Sequence, residues 1–399
     1  MRIFKLLLFI GLVLLAPQQA RTGDYPGTKP GEEAKNHENP PLPENQITEI
    51  RQLVDEILVK HKFNGSVLVG YKDYVVYQNA MGLASLKQHN LLTEETPFQL
   101  ASVSKSFTAL SVLLLVQEGR INLDEPLKTY IPEFPYQGVT VRHLLNHTSG
   151  VPNYVGIASG QWKDGAPRTN EDMLELLVKH KLPLRFKPGT RFQYSNTGYA
   201  LLALLVEKVS GTPFQAFVKT RIFEPLGMEN TFAYNRSEWE TREVAIGHRG
   251  RTPSAEVPWP DPLDDVLGDK SIYSTPADLF KYRKAWTTNI LLCDSLRNLA
   301  FTPGKIAGNK ETRYGFGWRL KEIEGTPIIY HNGLWHGFTA TFTTLPDYDL
   351  TIILLNNTNA HVGRLAWQIA RRIEPLLSPG KKSLPDNTDE AEESDELSD

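Results

Sequence analysis

Strand-like patterning in this chain is confined to its two ends, and that placement constrains the fold more than any other feature. Near the start, Ser66-Val67-Leu68-Val69-Gly70-Tyr71 and Tyr74-Val75-Val76-Tyr77 flank Lys72-Asp73, a hairpin signature. Near the end, strand signals return over 313–320, 327–331, 338–345 and 350–355. Between them, about residues 120 to 310 read as short helices and loops punctuated by Pro and Gly. Ile47, Ile50, Val54, Ile57 and Leu58 recur at helical spacing ahead of the hairpin, 102–116 reads as a buried helix, and another helix is expected over 364–377. The expected fold is α/β of the α+β kind. An antiparallel sheet formed by both chain ends is flanked by helices, with an inserted mainly helical region.

The 40% hydrophobic content of the 399 residues supports a large core. A single cysteine, Cys293, excludes an internal disulfide framework and any cysteine-based metal cluster, and is expected to be a buried core thiol. A net charge of −3 gives no case for nucleic acid as a partner. Arg2 and Lys5 precede an apolar run from Leu6 to Ala16, short for a membrane span, so residues 1–20 read as a secretory signal peptide. A Pro-rich linker (21–45), a catalytic domain (46–377) and an acidic disordered tail (378–399) complete the expected organisation. The expected location is periplasmic or secreted, with membrane attachment only if the first segment stays uncleaved.

Ser102-Val103-Ser104-Lys105 places a hydroxyl and an amine three residues apart where a helix should begin, which puts both on one face. A helix N-terminus favours negative charge developing on the serine oxygen, and a neighbouring Lys can take its proton. The plain alternative is a helix N-cap, and the same spacing recurs at Ser378-Pro379-Gly380-Lys381. Tyr194-Ser195-Asn196 offers a phenol and a carboxamide before an apolar helix over 201–209. His331-Asn332-Gly333 ends an apolar strand, where a glycine lets a substrate approach the backbone.

In this order the three triplets resemble those of the serine β-lactamase and penicillin-binding protein superfamily, on its class C β-lactamase-related branch. Longer stretches carry the resemblance too: Gln99-Leu100-Ala101-Ser102-Val103-Ser104-Lys105-Ser106-Phe107-Thr108, Val141-Arg142-His143-Leu144-Leu145-Asn146-His147-Thr148-Ser149-Gly150, and Gly268-Asp269-Lys270-Ser271. The resemblance implies a β-lactamase/transpeptidase-like fold and a serine hydrolase that forms an acyl-enzyme at Ser102 with no cofactor. Lys105 would assist, Tyr194 would shuttle the proton, and Asn196 would hold the substrate. His331, Asn332, Gly333 and Leu334 would line the substrate's strand, with the Ser102 and Leu334 N–H groups as the oxyanion hole. Substrates would be a D-alanyl peptide, an ester or a β-lactam, small molecule or peptide. The alternative is a penicillin- or peptidoglycan-peptide-binding protein with little or no turnover.

One position departs from the family pattern. Where many relatives carry Lys, this chain has His331. An imidazole of ordinary pKa gains charge as pH falls from 8 to 6, so acidic substrates should gain on neutral ones over that range. His143 and His147, four apart, are a weak candidate metal pair; Trp335 and His336 either line the cleft or pack; Asp269 and Lys270 read as structural.

Overall fold

The computed structural model describes residues 40–377, apart from 165, 259, 260 and 324, together with residue 384. The signal segment, the linker up to residue 39 and all but one residue of the acidic tail lie outside these, as does Ser378-Pro379-Gly380-Lys381. Helix α1 spans Glu44–Lys60, so it takes in the last two residues assigned to the linker. Pro43 sits just before it, where its fixed φ costs nothing because the first helical N–H groups have no partner within the helix.

Strands β1 (Gly65–Tyr71) and β2 (Tyr74–Met81) form the expected hairpin, with Lys72 at φ 56° in the turn. Helix α2 (Ser104–Gln117) is buried on all sides from Ser104 to Leu115, as an evenly apolar helix must be. Helix α3 (Asn196–Ser210) packs beside it and ends at Gly211, φ 74°. The late strands are β3 (Arg319–Ile323), β4 (Thr326–Trp335), β5 (Phe338–Leu345) and β6 (Leu350–Asn356), followed by α4 (Val362–Leu377). The six strands make one antiparallel sheet in the order β3-β4-β5-β6-β1-β2. Both chain ends thus build one sheet, as expected.

Alternation along the strands divides the core in two. Leu68, Ala340, Phe342, Ile353 and Leu355 face the inserted helices, whereas Val67, Val69, Ile352 and Leu354 face α1 and α4. A strand buried on both faces reads as an unbroken apolar run, which is why 350–355 was visible in the sequence.

Three expectations need correction. Residues 313–318 are not strand but a loop wrapped against the start of α2. Gly317 there has φ 77°, and a Cβ on it would lie 2.9 Å from the Lys105 carbonyl; a Cβ on Gly315 would lie 2.0 Å from the Ala300 carbonyl. Their alternating aromatics are buried by that wrapping, which imitates a strand pattern. His331-Asn332-Gly333 lies inside the ten-residue β4 rather than at a strand end. Cys293 is exposed, because it precedes the helix Asp294–Ala300 at the surface.

Candidate active site

The nucleophile candidate stands on a single tight turn, Ala101–Val103, just before α2. Ala101 holds φ 47°, a left-handed conformation that costs a non-glycine residue on the order of 1–3 kcal/mol. The surroundings impose it: the Leu100 N–H donates to the Ile272 carbonyl (2.8 Å) and the Ile272 N–H to Ser104 Oγ (3.0 Å). Ser104 and Ser106 are fully buried, whereas Ser102 is partly open. Of the three neighbouring serines, only Ser102 can meet a substrate.

Lys105 lies one turn on, 0% exposed. Its Nζ donates to Ser102 Oγ (3.0 Å), Asn196 Oδ1 (2.8 Å) and the Asp269 carbonyl (2.7 Å), so its three donors are directed at named acceptors. Asn196 is the first residue of α3, and its place is set by Ser195, whose Oγ accepts from the Gly198 N–H (3.1 Å) as N-cap. Asp269 and Lys270 are buried with Tyr154: Lys270 Nζ donates to the Tyr154 hydroxyl (2.7 Å), which donates to Asp269 Oδ2 (3.1 Å). Their contribution is to hold the Asp269 carbonyl where Lys105 meets it.

Tyr194 follows from the same loop. Its ring lies 4.8 Å from Lys105 Nζ and 5.3 Å from the Arg319 guanidinium. His147 backs it, ring to ring at 4.3 Å. The Ser195 N–H donates to His147 Nδ1 (3.0 Å), so Nε2 carries the imidazole proton. His143 Nδ1 likewise accepts the Thr140 N–H in a capping box. Each histidine of the candidate metal pair therefore spends a ring nitrogen on the backbone, and among the described residues no group of three His, Cys, Asp or Glu could hold a metal.

Strand β4 passes directly over the nucleophile turn at Gly333. A Cβ there would lie 2.3 Å from the Leu100 carbonyl oxygen and 3.0 Å from the Ser102 nitrogen. The glycine admits the protein's own nucleophile turn. Period-two alternation puts Asn332 on the opposite face, where its amide sits against Gly363 of α4. Its side chain is not in the cleft, which corrects the sequence expectation. Leu334, 37% exposed, marks where β4 emerges from the nucleophile turn. Trp335 is anchored by its indole N–H to Asp264 Oδ1 (2.8 Å), and His336 meets it edge to face at 4.4 Å between ring centres.

His331 is fully buried, also against expectation. Its Nδ1 lies 2.7 Å from the Asn332 carbonyl, which can only accept, so Nδ1–H donates. Nε2 then accepts from the Tyr314 hydroxyl at 2.9 Å. Both nitrogens are engaged and neither faces a substrate. Burial, reinforced by the nearby Arg319 and Lys105 charges, pushes the imidazole pKa well below its ordinary value. Burial therefore favours the neutral imidazole, and with neither nitrogen facing a substrate the expected gain for acidic substrates has no basis in this residue. The permanent charge here belongs to Arg319, 7% exposed, on the strand next to β4. Arg319, Tyr314 and the backing role of His147 were not read from the sequence. The aromatics of 313–318 carry a signal in the sequence, but their alternation reads as strand.

His147 is also pushed well below the ordinary range, chiefly by burial and then by Lys105. Well above the ordinary imidazole pKa of about 6.5 neither ring is charged in the folded or unfolded chain, and stability is unaffected. Below it the unfolded chain takes up protons that the buried rings refuse, so stability falls with pH. Each ring contributes a slope of about 1.4 kcal/mol per pH unit. Urea unfolding at pH 7, 6 and 5 is expected to show a shallower decline for His331→Gln than for the wild type. Equal slopes would place a charged imidazole in the folded protein.

Against this geometry stand the likenesses to known proteins. The family profile described as Beta-lactamase matches residues 50–373. Penicillin-binding protein 4* of Bacillus subtilis (strain 168) is 34% identical over 328 residues, covering 79% of this chain and 73% of that protein. The crystal structure of a penicillin-binding protein from Bacillus halodurans superposes with a TM-score of 0.70 at 28% identity, over 81% of this chain and 98% of that one. D-amino acid amidase from Ochrobactrum anthropi, complexed with L-phenylalanine amide, shares the fold at 24% identity and a TM-score of 0.68, over 83% of this chain and 100% of that one.

Proposed function

The chain belongs to the Beta-lactamase family, and from that premise we propose that it is an exported serine hydrolase forming an acyl-enzyme at Ser102 on ester or amide substrates. The observation that carries this reading is the 3.0 Å contact between Lys105 Nζ and Ser102 Oγ, in a lysine whose other donors are held by Asn196 and Asp269. A hydroxyl is a weak nucleophile until a base takes its proton; in its neutral form Lys105 keeps two N–H groups on Asn196 and the Asp269 carbonyl and turns its lone pair to the Ser102 hydroxyl, whose proton it accepts.

In this reading the Ser102 oxygen attacks the carbonyl as its proton passes to Lys105. The tetrahedral oxyanion is received by the Ser102 and Leu334 N–H groups, on the two segments that Gly333 allows to meet. Tyr194 carries the proton to the leaving group, with Lys105 Nζ 4.8 Å and the Arg319 guanidinium 5.3 Å from the centre of its ring. Water then attacks the acyl-enzyme by the reverse route. Support for acyl substrates comes from the site itself and from the name of a relative, penicillin-binding protein 4*, since penicillin is a cyclic amide. With His331 neutral and enclosed, slow turnover of penicillins relative to activated esters is part of the proposal.

The test is covalent. A fluorophosphonate and a fluorescent penicillin are each expected to add one equivalent by intact mass, mapping to the peptide that contains Ser102, with the penicilloyl adduct decaying over time. Loss of labelling in Ser102→Ala alone supports the assignment. An adduct on Ser104 or Ser106 overturns it, and a penicilloyl adduct that persists while esters are not hydrolysed turns the reading to a binding protein.

A further inference from the structure

A small surface pocket borders Tyr194 and Ser195, and its other walls include Asn153, Arg185 and Gln193. The segment that carries Arg185 is fixed against the loop that carries Asn153. The Arg185 N–H donates to the Gly150 carbonyl (2.8 Å), and the Gln193 N–H donates to the His147 carbonyl (2.9 Å). Gly150, at φ 73°, makes this approach possible, since a Cβ on it would lie 2.4 Å from the Phe186 carbonyl oxygen. The backbone under the pocket is thereby held in place.

The pocket's polar side chains present mainly donors. Asn153 Oδ1 is taken by the Val155 N–H (2.9 Å), which leaves its amide N–H groups to donate. Among the described residues, the side chains of Arg185 and Gln193 have no hydrogen-bond or ion-pair partner. The charge around them has one sign. From residue 179 to residue 206 the chain carries Lys179, Lys181, Arg185, Lys187 and Arg191 and no Asp or Glu. None of those five is ion-paired among the described residues, whereas Arg142, Arg168 and Arg283 each meet an aspartate. A pocket with unanswered donors inside an uncompensated positive field is suited to an anion. The planar guanidinium fork favours a carboxylate held through two N–H groups.

We infer that this pocket is an anion subsite of the active site, in which Arg185 receives a carboxylate carried by the substrate away from its reacting carbonyl. The inference rests on the acyl-enzyme reading above and names a feature of its substrate. Arg185 is separate from Arg319, which is buried in the sheet behind Tyr194. Gln193 and Asn153 add neutral donors, and Tyr194 is the residue the pocket shares with the reacting centre.

Two matched ester pairs test it. In each pair the members differ only by a carboxylate against a carboxamide, placed on the acyl side in one pair and on the leaving group in the other. The wild type is expected to prefer the carboxylate in one of the pairs by roughly 10- to 100-fold in kcat/KM, the range for hydrogen bonds to a charged group. Arg185→Gln is expected to bring that ratio close to 1 with the loss in KM, and Arg185→Lys to restore part of it. Lys187→Gln, which removes a charge from the same segment but lies outside the pocket, is expected to change the ratio less than about threefold, since exposed charges are screened by salt. A ratio unmoved by Arg185→Gln, or moved equally by Lys187→Gln, overturns the inference while leaving the serine hydrolase reading intact. Absence of Ser102-dependent hydrolysis of all four esters overturns that reading, and the inference with it.

Discussion

Lys105→Ala is expected to lower kcat by about 10²- to 10⁴-fold, the range over which a positioned acid–base group contributes. Removing the amine leaves Ser102 with no base within hydrogen-bond reach, and Lys105 is enclosed among Ser102, Asn196, Asp269 and the rings of Tyr194 and Tyr199. It also leaves the Asn196 amide oxygen and the Asp269 carbonyl without their 2.7–2.8 Å donor, so some stability is lost as well. The two effects separate cleanly, because thermal unfolding reads the second and single-turnover acylation reads the first. Tyr194→Phe is expected to cost at least about 10²-fold in kcat with little change in unfolding temperature. If both residues move protons within one mechanism, the double variant loses much less than the product of the two single losses. Near wild-type kcat in either single variant removes that residue from the chemistry; a fully multiplicative double variant separates their roles.

The parts of this site that were legible in the sequence are those fixed by local chain geometry. Ser102 and Lys105 are three residues apart on one turn, so helical spacing alone brings them together. Tyr194, Ser195 and Asn196 sit at a helix start that Ser195 caps, again a local device. The sheet was legible for a similar reason, since period-two and unbroken apolar runs survive in any context. What failed depends on packing between distant segments. Which face of β4 meets the nucleophile turn decides that Gly333 lies over Ser102 while Asn332 turns to α4, and a triplet carries no information on that choice. Arg319 enters the site through strand pairing beside β4, and His147 through its bond to the Ser195 N–H, 48 residues away. Burial of His331 is of the same kind, because Tyr314, 17 residues away, takes up its second nitrogen.

That enclosure gives the second large effect. His331→Lys restores the residue many relatives carry, yet in this chain it is expected to destabilise the protein by about 3–5 kcal/mol, the cost of a buried charge left without a partner. The charges that act on this position are those of Arg319 and Lys105, both positive, and the partners the imidazole uses are a carbonyl and a phenol. In a domain of this size the unfolding temperature falls by about 4–7 °C. The sign of the pH dependence follows from where the proton is held. Well above the ordinary lysine pKa of about 10.4 the side chain is neutral in both states and the cost vanishes; as pH falls below that, the unfolded chain binds a proton the folded site resists, and the cost grows. The gap in unfolding temperature from the wild type should therefore widen from pH 10 to pH 7. His331→Gln, which brings no charge, should show no such widening. Penicillin turnover is not expected to rise in His331→Lys, because position 331 is fully buried and its side chain is met by the Tyr314 hydroxyl. An unfolding temperature within a degree of wild type at pH 7, or a clear gain in penicillin turnover, would show that position 331 opens to solvent and substrate after all.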